Sequence, residues 1–346
     1  MADVKKYISL IFLLSFPAGL FSQEADPLFL SDEIIHIELR SDFSSVQKER
    51  TGDPAPHYGE LIYTMPGSGN VNLRVQVKSR GHFRSNPAYC SFPPLMVNFS
   101  KKAVSNTIFE GQDKIKLVTP CRDDNDVLDE YLAYRLCNII TERSLKVRLA
   151  RVLYFDTGQN KSLFAGYSFF IEDEDEAARR LTSAEIKRFI TPFDLDSADY
   201  LNLVLFEYMI GNRDWFVTSR KNIIVMQPSD STLRPFAVPY DFDLSGFVNA
   251  DYARPAGADP ELLADKHEYK GIYFTEEEFL KSFDYFESLK GRFTETIMNM
   301  NLIPVKKRNE DVKYLNEFYR FIKNRKSAIS YFRSKCETRK LYNLSE

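Results

Sequence analysis

A chain of 346 residues with 46 lysines and arginines against 49 aspartates and glutamates carries a net charge of −3. Sequence-independent binding to nucleic acid needs a basic stripe to displace counterions, and no long basic run occurs, so that class of function is excluded. At 44% hydrophobic and 27% charged the composition is that of a globular protein, and 14% aromatics point to a well-filled core.

In chain order, Lys5 and Lys6 precede an uninterrupted apolar run at 7–16 (YISLIFLLSF). Pro17, Ala18 and Gly19 break the run, and Ser22 supplies a small residue before Gln23 and Glu24. That order predicts a cleaved export signal over 1–22 and a mature chain in the periplasm or outside the cell. The run is short for a bilayer span and no later stretch is apolar enough, so no transmembrane anchor is expected after cleavage. No cysteine near the cleavage point offers a lipid attachment site. About 320 residues remain, enough for one large domain or two lobes around a cleft.

The first half reads as strands at 33–39, 71–77, 95–99 and 114–118, alternating or running apolar between Gly, Pro and Asn. A helix follows at 126–143, where Val127, Leu128, Tyr131, Leu132, Leu136, Ile139 and Ile140 keep helical spacing. Strands at 147–155 and 163–171 and an acidic turn at 172–176 end this half. Helices are then predicted at 198–210, nearly all apolar and central, at 275–300, opened by a Thr275/Glu278 capping box, and at 309–333. Phe279, Phe283 and Phe286 keep helical spacing and are assigned to the core. Two short strands, 223–226 and 235–238, form a hairpin between the helices. Strands followed by helices predict an α+β fold with a β-rich lobe at 23–171 and a mainly helical lobe at 172–346.

The four cysteines include no CxxC pair, which excludes a zinc ribbon or thioredoxin-type motif. In an oxidising compartment one disulfide is expected, with Cys90 and Cys121, each just outside a predicted strand, the favoured pair. Cys137, inside an amphipathic helix, reads as a buried free thiol.

The residues with chemistry cluster around the hairpin. Gly211-Asn212-Arg213-Asp214-Trp215 follows the central helix, Arg220-Lys221-Asn222 opens one strand, and Tyr240-Asp241-Phe242-Asp243 follows the other. A hairpin returns the chain on itself, so Asp214, Asn222, Asp241 and Asp243 are expected at one mouth. Taken singly each is an ordinary turn former. Together they are hard oxygen donors of the kind that suit Mg²⁺, Mn²⁺ or Ca²⁺.

This NRD…N…DFD arrangement resembles the catalytic and metal-binding loops of atypical protein kinases, the CotH family of spore-coat kinases first and HipA-type kinases more distantly. The resemblance implies a two-lobed kinase-like fold, with ATP and Mg²⁺ or Mn²⁺ as cofactors and a protein or small-molecule hydroxyl as acceptor. It implies that Asp214 is the catalytic base and that Asn222 and Asp241 bind metal, and Asp243, at the same mouth, is expected as a further metal ligand. Lys116 would hold the nucleotide phosphates, with Lys114 on the same face as the alternative and Glu130 as ion-pair partner. Arg80, in Arg80-Gly81-His82-Phe83-Arg84, resembles the RGxS stretch that faces the phosphates, and Glu172 the acidic residue at the hinge. No GxGxxG occurs, Phe83 stands where RGxS has Ser, and Asp214 and Asn222 lie eight apart where many kinases have five. Two other functions fit the same scaffold: a non-catalytic kinase-fold protein that binds an envelope partner, and a metal-dependent hydrolase with water as nucleophile. Ser/His/Asp hydrolysis is unsupported, because neither HExxH nor GxSxG is present.

Overall fold

Strands in which every second residue is buried line a closed barrel. The computed structural model describes residues 26–65, 69–122, 124–253 and 267–342, so the expected export signal lies outside the described residues. Strands β1 (Ile35–Ser41), β2 (His57–Met65), β3 (Gly69–Ser79), β4 (Leu95–Phe99), β5 (Lys114–Val118), β6 (Val147–Asp156) and β7 (Lys161–Ile171) run β1-β2-β3-β4-β5-β7-β6 around it. The parallel pairing of β1 with β6, Ile35 opposite Ala150, closes the ring. Leu39, Val77, Leu95, Val97, Tyr154 and Phe170 fill the inside. The β-rich half is therefore a seven-stranded closed barrel, not the sheet of a typical kinase N-lobe. Strand β2 escaped the sequence pattern because only Leu61 and Tyr63 of its nine residues are buried. A short helix, α1 (Phe43–Lys48), was missed as well; Asp42 caps it by accepting from Ser45 N–H.

Helix α2 (Asn125–Ile140) lies across the outer faces of β6 and β7. Its apolar residues join Val147, Leu149, Phe169 and Ile171 in a second core that continues into the helical half. That half holds α4 (Ser197–Ile210), α5 (Glu276–Asn299), α6 (Val305–Lys323) and α7 (Arg325–Lys335). In α4 every residue from Tyr200 to Ile210 except Asn202 is buried, and Gly211 ends the helix at φ 65°, which a residue without Cβ adopts at no steric cost. Both halves of the Thr275/Glu278 capping box are made at the start of α5, and Phe279, Phe283 and Phe286 are fully buried.

Three features depart from the sequence pattern. The acidic turn is a helix, α3 (Glu174–Arg180), with Asp173 as cap, acids in its first turn and Arg179 and Arg180 in its last. The expected helix at 309–333 is two, broken at Asn324, whose side chain caps α7 by accepting from Ser327 N–H. The hairpin, β9 (Ile223–Pro228) with β10 (Phe236–Pro239), gains a third strand, β8 (Ser183–Glu185). Cys90 and Cys121 are disulfide-bonded, and Cys137 is a buried free thiol.

Candidate functional site

The hairpin places its two ends together by backbone pairing. Pro239 sits opposite Ile223, and one residue further on Tyr240 N–H donates to Asn222 O at 3.1 Å. Asn222 and Asp241 both take left-handed backbone, φ 54° and 65°, which Asn and Asp tolerate better than other side chains.

The wide spacing between Asp214 and Asn222 is absorbed by a tight reversal in which Phe216 and Lys221 exchange backbone hydrogen bonds at 2.9 and 3.0 Å. Asn222 Nδ2 therefore reaches Asp214, donating to its carbonyl oxygen at 2.7 Å and to Oδ2 at 3.1 Å. The Lys221 ammonium pairs with the other Asp214 oxygen. Asn212 Oδ1 accepts from Asp214 N–H at 3.0 Å and fixes the turn from below. Trp215 is buried in the helical core and does not line the site.

Helix α2 supports the other end. Asp241 N–H donates to Tyr134 Oη at 2.9 Å. Phe242 packs edge-on against Tyr134 and Phe206, with centroids 4.7 and 5.5 Å apart. Asp243 turns inward and accepts from Tyr252 Oη at 3.2 Å. Burial, then the charge of Asp241, pushes its carboxyl up to about 7.

The barrel supplies the opposite wall. Lys116 on β5 pairs with Glu174 in the first turn of α3 and lies 5.4 Å from the Tyr240 ring. Burial opposes the Glu174 carboxylate, but the Lys116 ammonium outweighs it and holds its pKa below the usual range. Lys114 shares that face but is half-exposed, 3.6 Å from Asp173, whose charge raises its pKa. The loop after β3 carries Arg80, and Ser85 Oγ folds it back by donating to the carbonyls of Arg80 and Gly81 at 2.6 and 2.8 Å.

One expected pairing and one expected position are not found. Glu130 meets Arg84, not Lys116: Arg84 Nη1 lies 3.5 Å from Glu130 Oε2, both side chains are buried, and the guanidinium donates to Thr119 O and lies 5.3 Å from the Tyr252 ring. The N-terminus of α3 brings Glu174 up to Lys116, while the loop after β3 delivers a permanently charged guanidinium to Glu130. Burial and then the charge of Asp243 raise the Glu130 carboxyl well above its usual pKa, with Arg84 opposing. Glu172 is not at the cleft either. It is buried, bound at 2.7 Å by Nε and Nη2 of Arg180, and accepts from Lys146 N–H at 2.9 Å.

Arg80, Lys116, Glu130, Asp214, Asp241 and Asp243 thus line one cleft between barrel and helical half. Arg84, Tyr134, Glu174 and Tyr252 are the partners that sequence reasoning left without roles. Arg84 meets Glu130 and Tyr252 across 46 and 168 residues of chain, Glu174 meets Lys116 across 58 and Tyr134 meets Asp241 across 107, and no local periodicity reports contacts at such separations.

Among the described residues no three His, Cys, Asp or Glu side chains form a ready-made metal cage. The donor set nonetheless fits Mg²⁺ or Mn²⁺. The Asp241 and Asp214 carboxylates line the cleft, and Mg²⁺ is commonly held by one or two carboxylates plus substrate phosphates; Asn222, its Nδ2 committed to Asp214, is not among the cleft-lining residues and has only Oδ1 left to offer.

No family model matches the chain and no curated protein matches it, so the resemblance to the CotH and HipA families rests on the quoted motifs alone. Among solved structures, the crystal structure of a Helicobacter pylori proinflammatory kinase, CtkA, aligns with 73% of this chain and 93% of its own length, at 11% identity and a TM-score of 0.40. A likeness that loose bears no weight, and function has to be read from the cleft.

Proposed function

We propose that the cleft transfers a phosphoryl group from a nucleotide, ATP in the first instance, to a hydroxyl acceptor. The observation that supports this most is that Lys116 on the barrel and Asp214 and Asp241 on the helical half line the same cleft. Lys116 would exchange Glu174 for the nucleotide phosphates, with Arg80 beside it and Lys114 further out. Asp241 and Asn222 Oδ1 would hold the divalent ion, which supplies charge neutralisation at the phosphates when bound. Asp243, tied to Tyr252, and Glu130, tied to Arg84, would brace the floor rather than ligate. Asp214 would accept the acceptor's hydroxyl proton as the new O–P bond forms and the bond to the departing nucleoside diphosphate breaks. The export signal expected at 1–22 would put this chemistry in the periplasm or outside the cell, with an envelope protein as one class of acceptor.

A second function, a non-catalytic binder on the same scaffold, is favoured by one observation: Lys116 and Asp214 are both held by ion pairs within the chain. One experiment separates the two. The mature chain is melted with ATP plus Mg²⁺ or Mn²⁺ and assayed for transfer of the γ-phosphoryl group. A rise in Tm that needs both nucleotide and metal and is lost in Asp241→Ala, with transfer lost in Asp214→Ala, is the expected result. A nucleotide response without transfer favours the binder, a response to metal alone favours the hydrolase, and no response overturns phosphotransfer.

A further inference from the structure

The segment that follows β8 lies against the turn that carries Asp214. Ile186 N–H donates to Val225 O at 3.0 Å, which seats the segment on β9, and Arg220 Nη2 donates to Arg188 O. Arg220 adjoins Lys221, whose ammonium pairs with Asp214. Residues 185–189 and 213–222 therefore form one surface next to Asp214. Together they hold five lysines and arginines against two acids, Glu185 and Asp214. That is a local charge of +3, five less two, in a chain whose net charge is −3.

Two large rings stand open on the same surface. Phe189 is 64% exposed and Phe216 46%. The Lys270 ammonium lies 3.9 Å from the Phe216 ring centroid and steadies the ring without burying it. Lys187, Arg188 and Lys221 are exposed as well. Lys187 reaches Glu185 at 3.8 Å, and an exposed pair of that kind is weak. The Arg188 carbonyl takes a hydrogen bond from Arg220 but not its charge. Aromatic side chains and arginine are the residues that protein interfaces favour. An open surface does not enclose a small molecule, which needs a concave site. Acids interspersed among the cations break the continuous basic stripe that nucleic acid needs.

We propose that this surface docks the acceptor as an acidic segment of a protein. The serine or threonine hydroxyl of that segment reaches Asp214, its carboxylates lie on Lys187, Arg188 and Arg220, and an apolar side chain lies on Phe189 or Phe216. The inference rests on phosphotransfer in the cleft and names the class of its acceptor. Opposite charge across such a surface selects the partner and speeds encounter, and salt weakens it.

The probe is a labelled peptide of one serine among glutamates and leucines, with lysines in place of the glutamates as the control. Each is titrated into the full chain by fluorescence anisotropy without nucleotide. The glutamate peptide should bind saturably, weaken as salt is raised, and bind about tenfold tighter than the lysine peptide. Lys187→Glu with Arg188→Glu should cost the glutamate peptide about tenfold and leave Tm unchanged, because both side chains are exposed and the Arg188 carbonyl that holds Arg220 stays. With ATP and Mg²⁺ added, the same double variant should lower kcat/KM for the glutamate peptide and keep the rise in Tm caused by nucleotide. Equal affinity for the two peptides overturns the proposal, as does affinity unmoved by the charge reversal in a variant that melts like wild type. Tighter binding of a single-stranded thymidine oligonucleotide than of the glutamate peptide overturns it in favour of nucleic acid. Should the double variant not fold, the comparison of the two peptides on the wild-type chain decides. Transfer to both peptides at equal kcat/KM overturns the docking surface and leaves phosphotransfer standing. Docking of the glutamate peptide with no transfer to either peptide upholds the surface and overturns phosphotransfer.

Discussion

Asn222 performs two tasks that a substitution can separate. Its backbone sits at φ 54°, and its amide ties Asp214 in place. Asn222→Ala loses both the amide and the tolerance for left-handed backbone, whereas Asn222→Gly loses only the amide. The left-handed conformation costs an ordinary L-residue about 1–2 kcal/mol, and the extra unfolded-state freedom of glycine returns part of that. Asn222→Gly should therefore be more stable than Asn222→Ala by about 0.5–1 kcal/mol, with both below wild type, in urea denaturation. An alanine variant as stable as the glycine one would show that the backbone relaxes. Arg84 makes the complementary point. Burial opposes its charge, yet Tyr252, Glu130 and Asp243 together push its pKa up, so the cleft floor keeps one permanent cation among its carboxylates. Asp214, Asn222, Asp241 and Asp243 could be grouped from the chain because one hairpin controls all four. Arg84 could not be assigned, because its partners come from α2 and from a loop far along the sequence.

At the scale of elements, legibility followed local pattern. Strands β4 and β5 end where alternation ends, and α4 ends at the glycine that must follow it. Strand β2 is half polar, α3 is a run of acids that reads as a solvated turn, and the break at Asn324 is set by a cap rather than by Gly or Pro. The disulfide shows what local pattern can still deliver. It pins the loop carrying Arg80 and Arg84 to the segment leading into α2, where Ser91 N–H and Oγ–H both donate to Cys121 O at 3.0 and 2.6 Å. Its cysteines are 31 apart in sequence. Closing a loop of that size restricts the unfolded chain by about 3.5 kcal/mol, in the entropic account. Cys90→Ser with Cys121→Ser should lower the stability of the oxidised protein by about that amount. Added reductant should bring the wild type down to the variant. A wild type indifferent to reductant, with its thiols shown to be free, would mean that the surrounding hydrogen bonds hold the loop unaided.

For the molecule as a whole, the decisive element is α2, because it belongs to the strand-rich half in sequence and to the helical core in packing. The barrel interior is one apolar cluster, and α2 lies in the other, with α4, α5 and α6. A buried charge cluster reinforces that allegiance. Lys307 of α6 bridges Asp129 of α2 at 2.8 Å and Asp311 of α6 at 2.5 Å, on the residue next to Glu130. One ammonium cannot offset two buried carboxylates. Burial pushes the Asp129 carboxyl up to about 7, with Lys307 opposing and the charges of Asp311 and Asp126 adding to the rise. The native chain then holds a proton at Asp129 that the unfolded chain has released from about pH 4 upward. Its contribution to stability is present below that pH and is lost as pH rises through about 7. Asp129→Asn removes this proton uptake and leaves Lys307 paired with Asp311. Urea denaturation at pH 4.5 and 7.5 should show wild type losing more stability than Asp129→Asn across the interval, by at most about 4 kcal/mol. Equal losses would place the Asp129 proton elsewhere and leave apolar packing alone to join α2 to the helical half.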